Sequence, residues 1–300
     1  MINTICAICQ TNKNTLVLYK ERINYEAVDS KTFSARRIPD RSHYRFLKCQ
    51  RCGLIFSNPI FSENKIGNLY KSSIFTYDKE SEFLKKTYFN YFNQYILGTN
   101  KYKSLKVLEI GCGNGFFLDE LIKNGVKDVY GVEPGKKMVN SSSKALKNRI
   151  KIGIFKKNQY PKESFDVICC FHTLDHIVNL NSFINEMNTV LKKNGKILII
   201  VHNTNGLSVK ILKENSPIFD IEHIYLFNQY NLKNVFKISG FKNLDTFNVV
   251  NTYPLSYWIS LFPINLKIKK KLINLLNQIG IGRFGISLNA GNIGLVATKN

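Results

Sequence analysis

The stretch from Val107 to Leu121, VLEIGCGNGFFLDEL, decides how this chain folds. Three apolar residues and one acid lead into glycines at positions 111, 113 and 115, and apolar residues at helical spacing follow. The order predicts a buried strand, a tight turn and a helix start, because glycine adopts positive φ and lets a ligand approach the backbone. The acid, Glu109, lies two residues before the first glycine, where it would repel a phosphate. The pattern therefore favours a ligand that carries an ammonium group.

A second acid follows one predicted strand later. Val129-Tyr-Gly-Val-Glu133 has the composition of a short buried strand that ends in a carboxylate. In a doubly wound sheet, an acid about 20 residues beyond the glycines binds ribose hydroxyls. A ribose partner without a pyrophosphate describes S-adenosylmethionine better than NAD.

Over residues 101–245 the sequence resembles the class I S-adenosylmethionine-dependent methyltransferases. The matching segments, in the family's order, are a fourth strand at 164–170, a loop and helix at 171–177, a helix end and turn at 190–195, a fifth strand at 196–201, a sixth at 241–250 and an antiparallel seventh at 292–298. The resemblance implies an α/β, Rossmann-like fold with a seven-stranded sheet. It also implies a cofactor site formed by Glu109, Gly111, Gly113, Gly115, Glu133 and Phe171. The family's acid for adenine is missing from 151–155, so we assign no residue to that role.

Four of the seven cysteines form two closely spaced pairs, Cys6-Ala-Ile-Cys9 and Cys49-Gln-Arg-Cys52. Two such pairs supply the four thiolates of a tetrahedral zinc site. With every ligand position taken by cysteine, the Zn²⁺ would be structural and would stabilise a zinc-ribbon-like module over residues 1–58. The alternatives are a redox pair or surface thiols. We expect the remaining cysteines, Cys112, Cys169 and Cys170, to pack in or beside buried strands.

Composition restricts the class of protein further. The formal net charge is +22, but lysine and asparagine are abundant along the whole chain, which argues against a specific nucleic-acid surface. Arginine behaves differently: six of the eight arginines (Arg22, Arg36, Arg37, Arg41, Arg45 and Arg51) lie in the first 51 residues. They suggest recognition of a phosphate or carboxylate, or else pairing with local acids. We predict a cytoplasmic protein, since neither a secretory signal nor an apolar run of about 18 residues is present.

The layout predicts a helical linker or lid at 59–100 and the methyltransferase domain at 101–300. Tyr70 and Tyr77 of the linker are candidates to face the site. An insertion at about 251–290 contains an aromatic segment and a helix with lysines on one face. Together these form a candidate for peripheral membrane contact over residues 253–276, although a helix that covers the core or contacts another subunit has the same pattern. The oligomeric state stays open.

The combination of a four-cysteine module, this core and a C-terminal extension resembles the sugar methyltransferases of nucleotide-sugar and surface-polysaccharide pathways. The resemblance implies a small-molecule or glycan substrate, which we expect to be anionic, and it matches Glu222-His223 to the family's acid–histidine pair. His223 and His172 are candidate bases, with Glu222 orienting His223. His176 matches a histidine that is common in the superfamily.

Two other classes of function stay open. The first is an RNA methyltransferase with an N-terminal zinc module. The sequence after the predicted fourth strand, Cys170-Phe-His-Thr, lacks the Asn/Asp-Pro-Pro-aromatic loop that grips an exocyclic amine, which weakens this hypothesis. The second is a binding module that holds the cofactor without turnover.

Overall fold

A computed structural model of the chain describes residues 1–30, 32–33, 40–72, 78–98, 104–262 and 264–300. In chain order, the strands are β1 (Thr15–Tyr19), β2 (Phe46–Cys49), β3 (Ile55–Ser57), β4 (Lys106–Ile110), β5 (Asp128–Glu133), β6 (Ile150–Ile152), β7 (Phe165–Phe171), β8 (Leu191–His202), β9 (Tyr225–Leu226), β10 (Phe241–Pro254) and β11 (Gly285–Lys299). The helices are α1 (Glu63–Ser72), α2 (Asp78–Phe92), α3 (Phe116–Lys123), α4 (Lys136–Asn140), α5 (Leu180–Val190), α6 (Leu207–Leu212), α7 (Gln229–Ile238), α8 (Leu255–Leu261) and α9 (Leu266–Gln278).

The larger sheet has seven strands in the order β10-β11-β8-β7-β4-β5-β6. Strands β4 to β8 of this sheet pair in parallel, and β11 is antiparallel to both of its neighbours. The predicted seven-stranded α/β class and its antiparallel last strand are thus confirmed. The strand order reverses between β4 and β7, and in open α/β sheets ligands bind at the carboxyl ends of the strands at such a point.

The central strands form because their apolar runs are covered on both faces. In β7, every residue from Val167 to Phe171 is buried, which is typical of a strand inside a parallel sheet. Cys169 and Cys170 lie in this run with no exposed surface, and Cys112 at the end of β4 is 2% exposed. The predicted packing role of these three cysteines agrees with their burial.

Two predicted boundaries differ from the structure. The helical pattern predicted from about Glu80 to Leu97 becomes α2 followed by one π-helical turn at Asn93–Leu97. The turn predicted at 190–195 instead belongs to β8, which begins at Leu191. Leu191 is fully buried and pairs with Phe165 of β7, so β8 begins to pair with β7 before the predicted turn residues. The register of this pairing shifts between Phe165 and Val167.

The N-terminal segment is joined to the rest of the chain by a shared sheet. Strands β1, β2 and β3 form a meander, and β9 from the later part of the chain adds to its edge by pairing with β3. The Ser57 hydroxyl donates to the His223 carbonyl at 2.8 Å, and the Ser57 amide donates to the Ile224 carbonyl at 2.8 Å. Residues 1–58 therefore pack directly against the segment that carries His223.

The predicted insertion lies between β10 and β11, both of which continue beyond the strands predicted from sequence. Helices α8 and α9 occupy it, and the Trp258 indole nitrogen fixes α8 by donating to the Ile286 carbonyl at 2.9 Å. Within the described ranges, every helix is too short or too polar to cross a lipid bilayer.

Candidate active site

A cavity of about 390 Å³ lies at the carboxyl ends of β4, β5 and β7. Gly111, Glu133 and His172 line it at or directly after the ends of these strands, and Tyr70 of α1 and Tyr257 of α8 lie on other walls. Each of these strands is buried in the sheet, so the residues at its end are held at a common edge. The cavity therefore coincides with the point where the strand order reverses.

The three glycines of the turn have different surroundings. Gly111 has φ +77°, and a Cβ there would overlap the Thr173 side chain. Gly113 has φ +57°, and a Cβ added there would have no atom within 4 Å, so its backbone faces open space where a ligand can approach. Gly115 has φ +81° and precedes α3; a Cβ there would lie 2.5 Å from Leu146 Cδ1. Gly111 and Gly113 line the cavity, whereas Gly115 allows close packing beneath the helix.

Glu133 is held at the cavity by the turn itself. Its Oε2 accepts from the Gly113 amide at 3.0 Å, and its Oε1 accepts from the Gly135 amide at 2.7 Å. Burial raises the pKa of Glu133 to about 7, although both amide hydrogen bonds act in the opposite direction. The carboxylate is thus held in place before the cofactor binds, and the two amide hydrogen bonds offset only part of the cost of its burial. It therefore suits an acceptor for ribose hydroxyls.

Glu109 lies deeper in the same cavity and is 3% exposed. Its Oε2 has no hydrogen-bond partner among the described residues. Burial, and secondarily the nearby Glu133, raises the pKa of Glu109 well above its ordinary value. A buried carboxylate oxygen without a donor is costly unless a ligand supplies one. The ammonium group of S-adenosylmethionine would do so, and Glu109, Gly113 and Glu133 together fit this cofactor.

We expect Glu109→Gln to raise the stability of the ligand-free protein at pH 8 while weakening S-adenosylmethionine binding. The folded-state pKa of Glu109 lies above its unfolded value, so its stability contribution is present at low pH and is lost as pH rises through the folded pKa. Glutamine cannot ionise and avoids that loss. Thermal denaturation should show a melting temperature higher by about 2–4 °C, or roughly 1 kcal/mol. Glu120→Gln, at a partly exposed position on α3, is the control, and a lowered melting temperature for Glu109→Gln would contradict the assignment.

Asp175 lies among four histidines that line the cavity, His172, His176, His202 and His223. Asp175 has no exposed surface, and its Oδ2 lies 2.6 Å from His202 Nδ1. His176 Nε2 lies 3.6 Å from Asp175 Oδ1, and His223 Nε2 lies 4.0 Å from Oδ2. His172 completes the group, with its ring centroid 4.7 Å from that of His202. Sequence reasoning missed Asp175 and His202 as site residues.

The cluster has the contacts of an acid–base group. One ligand atom each from His172, Asp175 and His202 lies within 4.8 Å of the others, a spacing that could also hold a metal ion. The separation of 2.6 Å between His202 and Asp175 is that of a short hydrogen bond. Two atoms bound to one metal at about 2.0–2.2 Å with tetrahedral angles lie more than about 3 Å apart. We therefore interpret the pair as sharing a proton.

The pKa shifts of Asp175 and His223 indicate different roles within the cluster. Burial alone would raise the pKa of Asp175, but the adjacent histidines, His202 above all, hold it below its ordinary value. Burial and the nearby His202 lower the pKa of His223 well below its ordinary value. His223 Nδ1 contacts the Ile218 carbonyl at 2.7 Å. The group that orients this nitrogen is thus a carbonyl, whereas the sequence predicts Glu222 in that role.

The other predicted site residues also line the cavity. Glu222, His172 and Phe171 all do so, and the centroid of the Phe171 ring lies 4.3 Å from that of Tyr88. His172 has φ +47°, an uncommon conformation for a residue other than glycine, and its Nε2 lies 3.5 Å from Asn292 Nδ2. The fold therefore brings the predicted cofactor residues and the predicted bases to one cavity, except for Gly115.

Tyr70, a candidate from the predicted linker, joins the same cluster. Its hydroxyl lies 2.7 Å from His176 Nδ1, and burial raises the pKa of Tyr70 well above its ordinary value. The raised pKa keeps the phenol neutral, and the tautomer of His176 sets the direction of this hydrogen bond. Tyr77, the second candidate, lies outside the described residues.

The four cysteines of the N-terminal pairs meet in the structure. Sulfur atoms of Cys6, Cys9, Cys49 and Cys52 all lie within 4.8 Å of one another. Cys6 Sγ lies 3.4 Å from Cys52 Sγ and also 3.4 Å from the Cys9 amide nitrogen. The residues fit a four-thiolate Zn²⁺ site, and zinc there would have no open position for substrate. The Cys52 carbonyl accepts from Asn231 Nδ2 at 2.6 Å, which connects this site to α7.

We expect Cys49→Ser to lower zinc content and to destabilise the N-terminal sheet, since the bound metal contributes directly to folding. Elemental analysis of protein purified without chelator should give one zinc per wild-type chain and less for the variant. Cys112→Ala, which removes a buried thiol outside the cluster, should keep its zinc. A metal-free wild-type protein would contradict the assignment.

The arginines of the first 51 residues lie outside the cavity lining wherever the structure describes them. Arg22 lies 3.9 Å from Glu214, and Arg45 Nε donates to the Asn58 carbonyl at 2.9 Å. Arg36 and Arg37 lie outside the described residues. The contacts of Arg22 and Arg45 support the local pairing and packing interpretation, and an anionic substrate stays a prediction.

Comparisons with known proteins agree with this architecture. Residues 81–246, more than half of the chain, match the family described as a methyltransferase domain. The ubiquinone biosynthesis O-methyltransferase of Pelagibacter ubique is 34% identical over 107 residues, covering 34% of this chain and 43% of the relative. The uncharacterized methyltransferase YcgJ of Bacillus subtilis is 30% identical over 103 residues, covering 32% of this chain and 40% of the relative. The chain thus spans less than half the length of these curated relatives.

Two solved structures share the fold. The crystal structure of YcgJ from Bacillus subtilis has a TM-score of 0.52 at 18% identity, covering 72% of this chain and 98% of that one. The structure of phosphoethanolamine N-methyltransferase 2 of Haemonchus contortus, in complex with S-adenosyl-L-methionine, has a TM-score of 0.51 at 16% identity. The match covers 82% of this chain and 61% of that one. The fold and the glycine turn define a class I S-adenosylmethionine-dependent methyltransferase domain. The chain belongs to the methyltransferase domain family.

Proposed function

We propose that this protein transfers a methyl group from S-adenosylmethionine to a hydroxyl oxygen of a small-molecule acceptor, in the first place a nucleotide-linked or glycan-linked sugar of surface-polysaccharide biosynthesis. The observation that carries the proposal is the short hydrogen bond between buried Asp175 and His202, the second of which lines the same cavity as the glycine turn. A hydroxyl is a weak nucleophile and benefits from a base, whereas a neutral amine needs none.

S-adenosylmethionine, when bound, supplies a methyl group on a positively charged sulfur. Glu109 would bind the ammonium group, and Glu133 would accept from the ribose hydroxyls. The backbone of Gly113, which has open space beside it, would lie against the cofactor, and the histidines line the same cavity. Fixing the two reactants in line is a large part of catalysis for such a displacement.

The dyad of Asp175 and His202 supplies the proton acceptor. The hydrogen bond to Asp175 places the proton of neutral His202 on Nδ1, so Nε2 is free to accept another. When the methyl group passes to a hydroxyl oxygen and S-adenosylhomocysteine is released, the hydroxyl proton must leave, and His202 Nε2 would accept it. Asp175 then stabilises the charged imidazole, as the carboxylate of a catalytic triad does. His223 is a weaker candidate because its lowered pKa makes it a poor base.

A polyhydroxylated acceptor is supported by the polar groups that line the cavity. Glu63, Asp220 and Glu222 line the cavity together with His202 and His223. Carboxylates accept hydrogen bonds from hydroxyls and would orient several of them at once. A sugar acceptor is also supported by the combination of a four-cysteine module with this core, which resembles the sugar methyltransferases. A phenolic acceptor is the other candidate, and it is supported by the O-methyltransferase name of the Pelagibacter ubique relative.

The test uses S-adenosylmethionine labelled on its methyl group, incubated with the purified protein and a lysate of its own source. The lysate is then separated into RNA, protein, glycan, lipid and small-molecule pools. Label in the sugar-nucleotide or glycan pool, absent with Glu133→Ala, is the expected result. Label in a phenolic lipid would select the second candidate. Label in RNA, or in none of the pools, would contradict the proposal.

A further inference from the structure

Helix α9 presents an apolar stripe that no described part of the chain covers. Ile268, Leu272 and Leu275 lie on it, and Ile279 continues the stripe directly after the helix. Their spacing places them within roughly 60° of one another around the helix axis. They are 61%, 37%, 54% and 57% exposed, respectively. Lys269, on another face, is buried and donates from Nζ to the Ser260 carbonyl at 2.7 Å, so the helix is oriented with its apolar stripe outward.

Exposed aromatic residues flank α9 on both sides in the chain. Phe262 before the helix is 56% exposed, and Phe284 after it is 68% exposed. We call the exposed residues Phe262, Ile268, Leu272, Leu275, Ile279 and Phe284 the insertion face. Exposed apolar residues scattered singly are ordinary, but a stripe of this length, with exposed aromatic residues beside it in the chain, marks an interaction surface.

The charged residues of the insertion itself all have one sign. Lys267, Lys270 and Lys271 are exposed on α9, and Arg283 is exposed beside Phe284. Residues 251–300 contain six lysines and arginines and not one aspartate or glutamate. An apolar stripe whose own segment carries exposed lysines and no acid matches the interface of an anionic bilayer, where headgroups pair with lysine and the apolar side chains enter the acyl boundary.

We propose that the insertion face binds the surface of an anionic lipid bilayer. A second copy of this chain fits less well, because the two insertions would bring cations together and neither insertion contributes an acid to pair them. The rest of the chain offers a second copy little help, since its formal net charge is +22. A membrane offers both a negative surface and an apolar layer, and thus complements both parts of the face.

The insertion face is continuous with the wall of the cavity. Tyr257 and Leu261 of α8 line the cavity, and Phe262 follows directly. A bilayer at the insertion face would therefore lie beside one side of the cavity. Membrane binding is measured without turnover, so it does not depend on which acceptor is methylated.

The test measures cosedimentation of the full chain with vesicles of phosphatidylglycerol and phosphatidylcholine in equal amounts, and with phosphatidylcholine alone. We expect binding to the anionic vesicles that weakens with added salt. The variant Ile268→Asp/Leu275→Asp should lower the partition coefficient at least about tenfold, because it places charge in the apolar stripe. Leu16→Asp/Ile238→Asp makes the same change at exposed positions elsewhere, 56% and 53% exposed, and should bind as the wild type does.

Calorimetric affinity for S-adenosylmethionine, measured on both variants, reports whether each is folded. Equal loss of vesicle binding in the two double variants would overturn the proposal, since it would show a nonspecific effect of charge. Failure of the wild type to bind anionic vesicles would also overturn it. So would a dimer, seen by sedimentation velocity, that only Ile268→Asp/Leu275→Asp dissociates, because the face would then bind a second copy.

Discussion

Replacing His202 with Asn is expected to lower kcat for methyl transfer about 10²- to 10⁴-fold, the usual contribution of a general base. Asparagine keeps a polar side chain at the position but cannot accept the acceptor's proton. Affinity for S-adenosylmethionine should change by no more than about twofold, because the lost interaction belongs to the transition state. Single-turnover rates with the labelled acceptor, alongside calorimetry of the cofactor, separate the two effects.

The same experiment distinguishes the members of the cluster. Asp175→Asn should also reduce kcat strongly, since an amide can stabilise the wrong tautomer of His202 and cannot stabilise its charged form. His43→Asn is the matched control: His43 is a fully buried histidine 3.3 Å from Glu214 and outside the cavity lining. A loss of kcat confined to His223→Asn would transfer the role to His223.

Replacing Glu133 with Ala is expected to weaken S-adenosylmethionine binding by about 1–3 kcal/mol, or roughly 5- to 150-fold. Two causes act together. The variant removes the acceptor for the ribose hydroxyls, and it releases the Gly113 and Gly135 amides that the carboxylate now holds. Isothermal titration calorimetry measures the change directly, with Glu120→Ala on α3 as the control.

Glu133 also gives the binding a pH dependence. Its pKa of about 7 in the ligand-free protein means that the carboxyl group is increasingly protonated below neutral pH. The cofactor's hydroxyls donate best to the ionised form, so affinity should fall as pH drops below about 7. Glu133→Ala should show a weaker pH dependence, since Glu109, whose pKa burial also raises, remains in the variant. Unchanged affinity in that variant at pH 8 would contradict the cofactor assignment.

The parts of the site that sequence could predict are those set by neighbours along the chain. Glu109 and the glycines at 111, 113 and 115 lie within seven residues, and their order alone specifies a strand, a turn and a helix start. The position of Glu133 can be predicted because one strand–helix–strand unit has a regular length. The central sheet is predictable for the same reason, since parallel strands with buried faces have long apolar runs.

The dyad of Asp175 and His202 depends on contacts between distant residues. The two are 27 residues apart, and they meet only because β7 and β8 are neighbours whose carboxyl ends share an edge. His202 ends β8, one residue after the strand predicted at 196–201, so its place at the cavity edge is within reach of the sequence. An apolar strand pattern, however, gives no special weight to a single polar residue at its end.

The connection between the N-terminal module and the core has no comparable signal. Strand β9 has two residues, too few for a periodic pattern, and its partner β3 lies about 170 positions earlier in the chain. The hydrogen bond from Ser57 to the His223 carbonyl spans 166 positions. Short strands of this kind form because tertiary packing supplies partners, which the local sequence does not encode.

The proposed chemistry depends above all on which atom receives the methyl group. The protein would be incubated with its acceptor pool and S-adenosylmethionine carrying a ¹³C-methyl group, and the product analysed by proton–carbon correlation spectroscopy. We predict a single O-methyl signal that grows in step with S-adenosylhomocysteine and disappears in His202→Asn. A methyl signal on nitrogen or carbon, or an O-methyl signal undiminished in His202→Asn, would contradict oxygen methylation by the Asp175–His202 dyad.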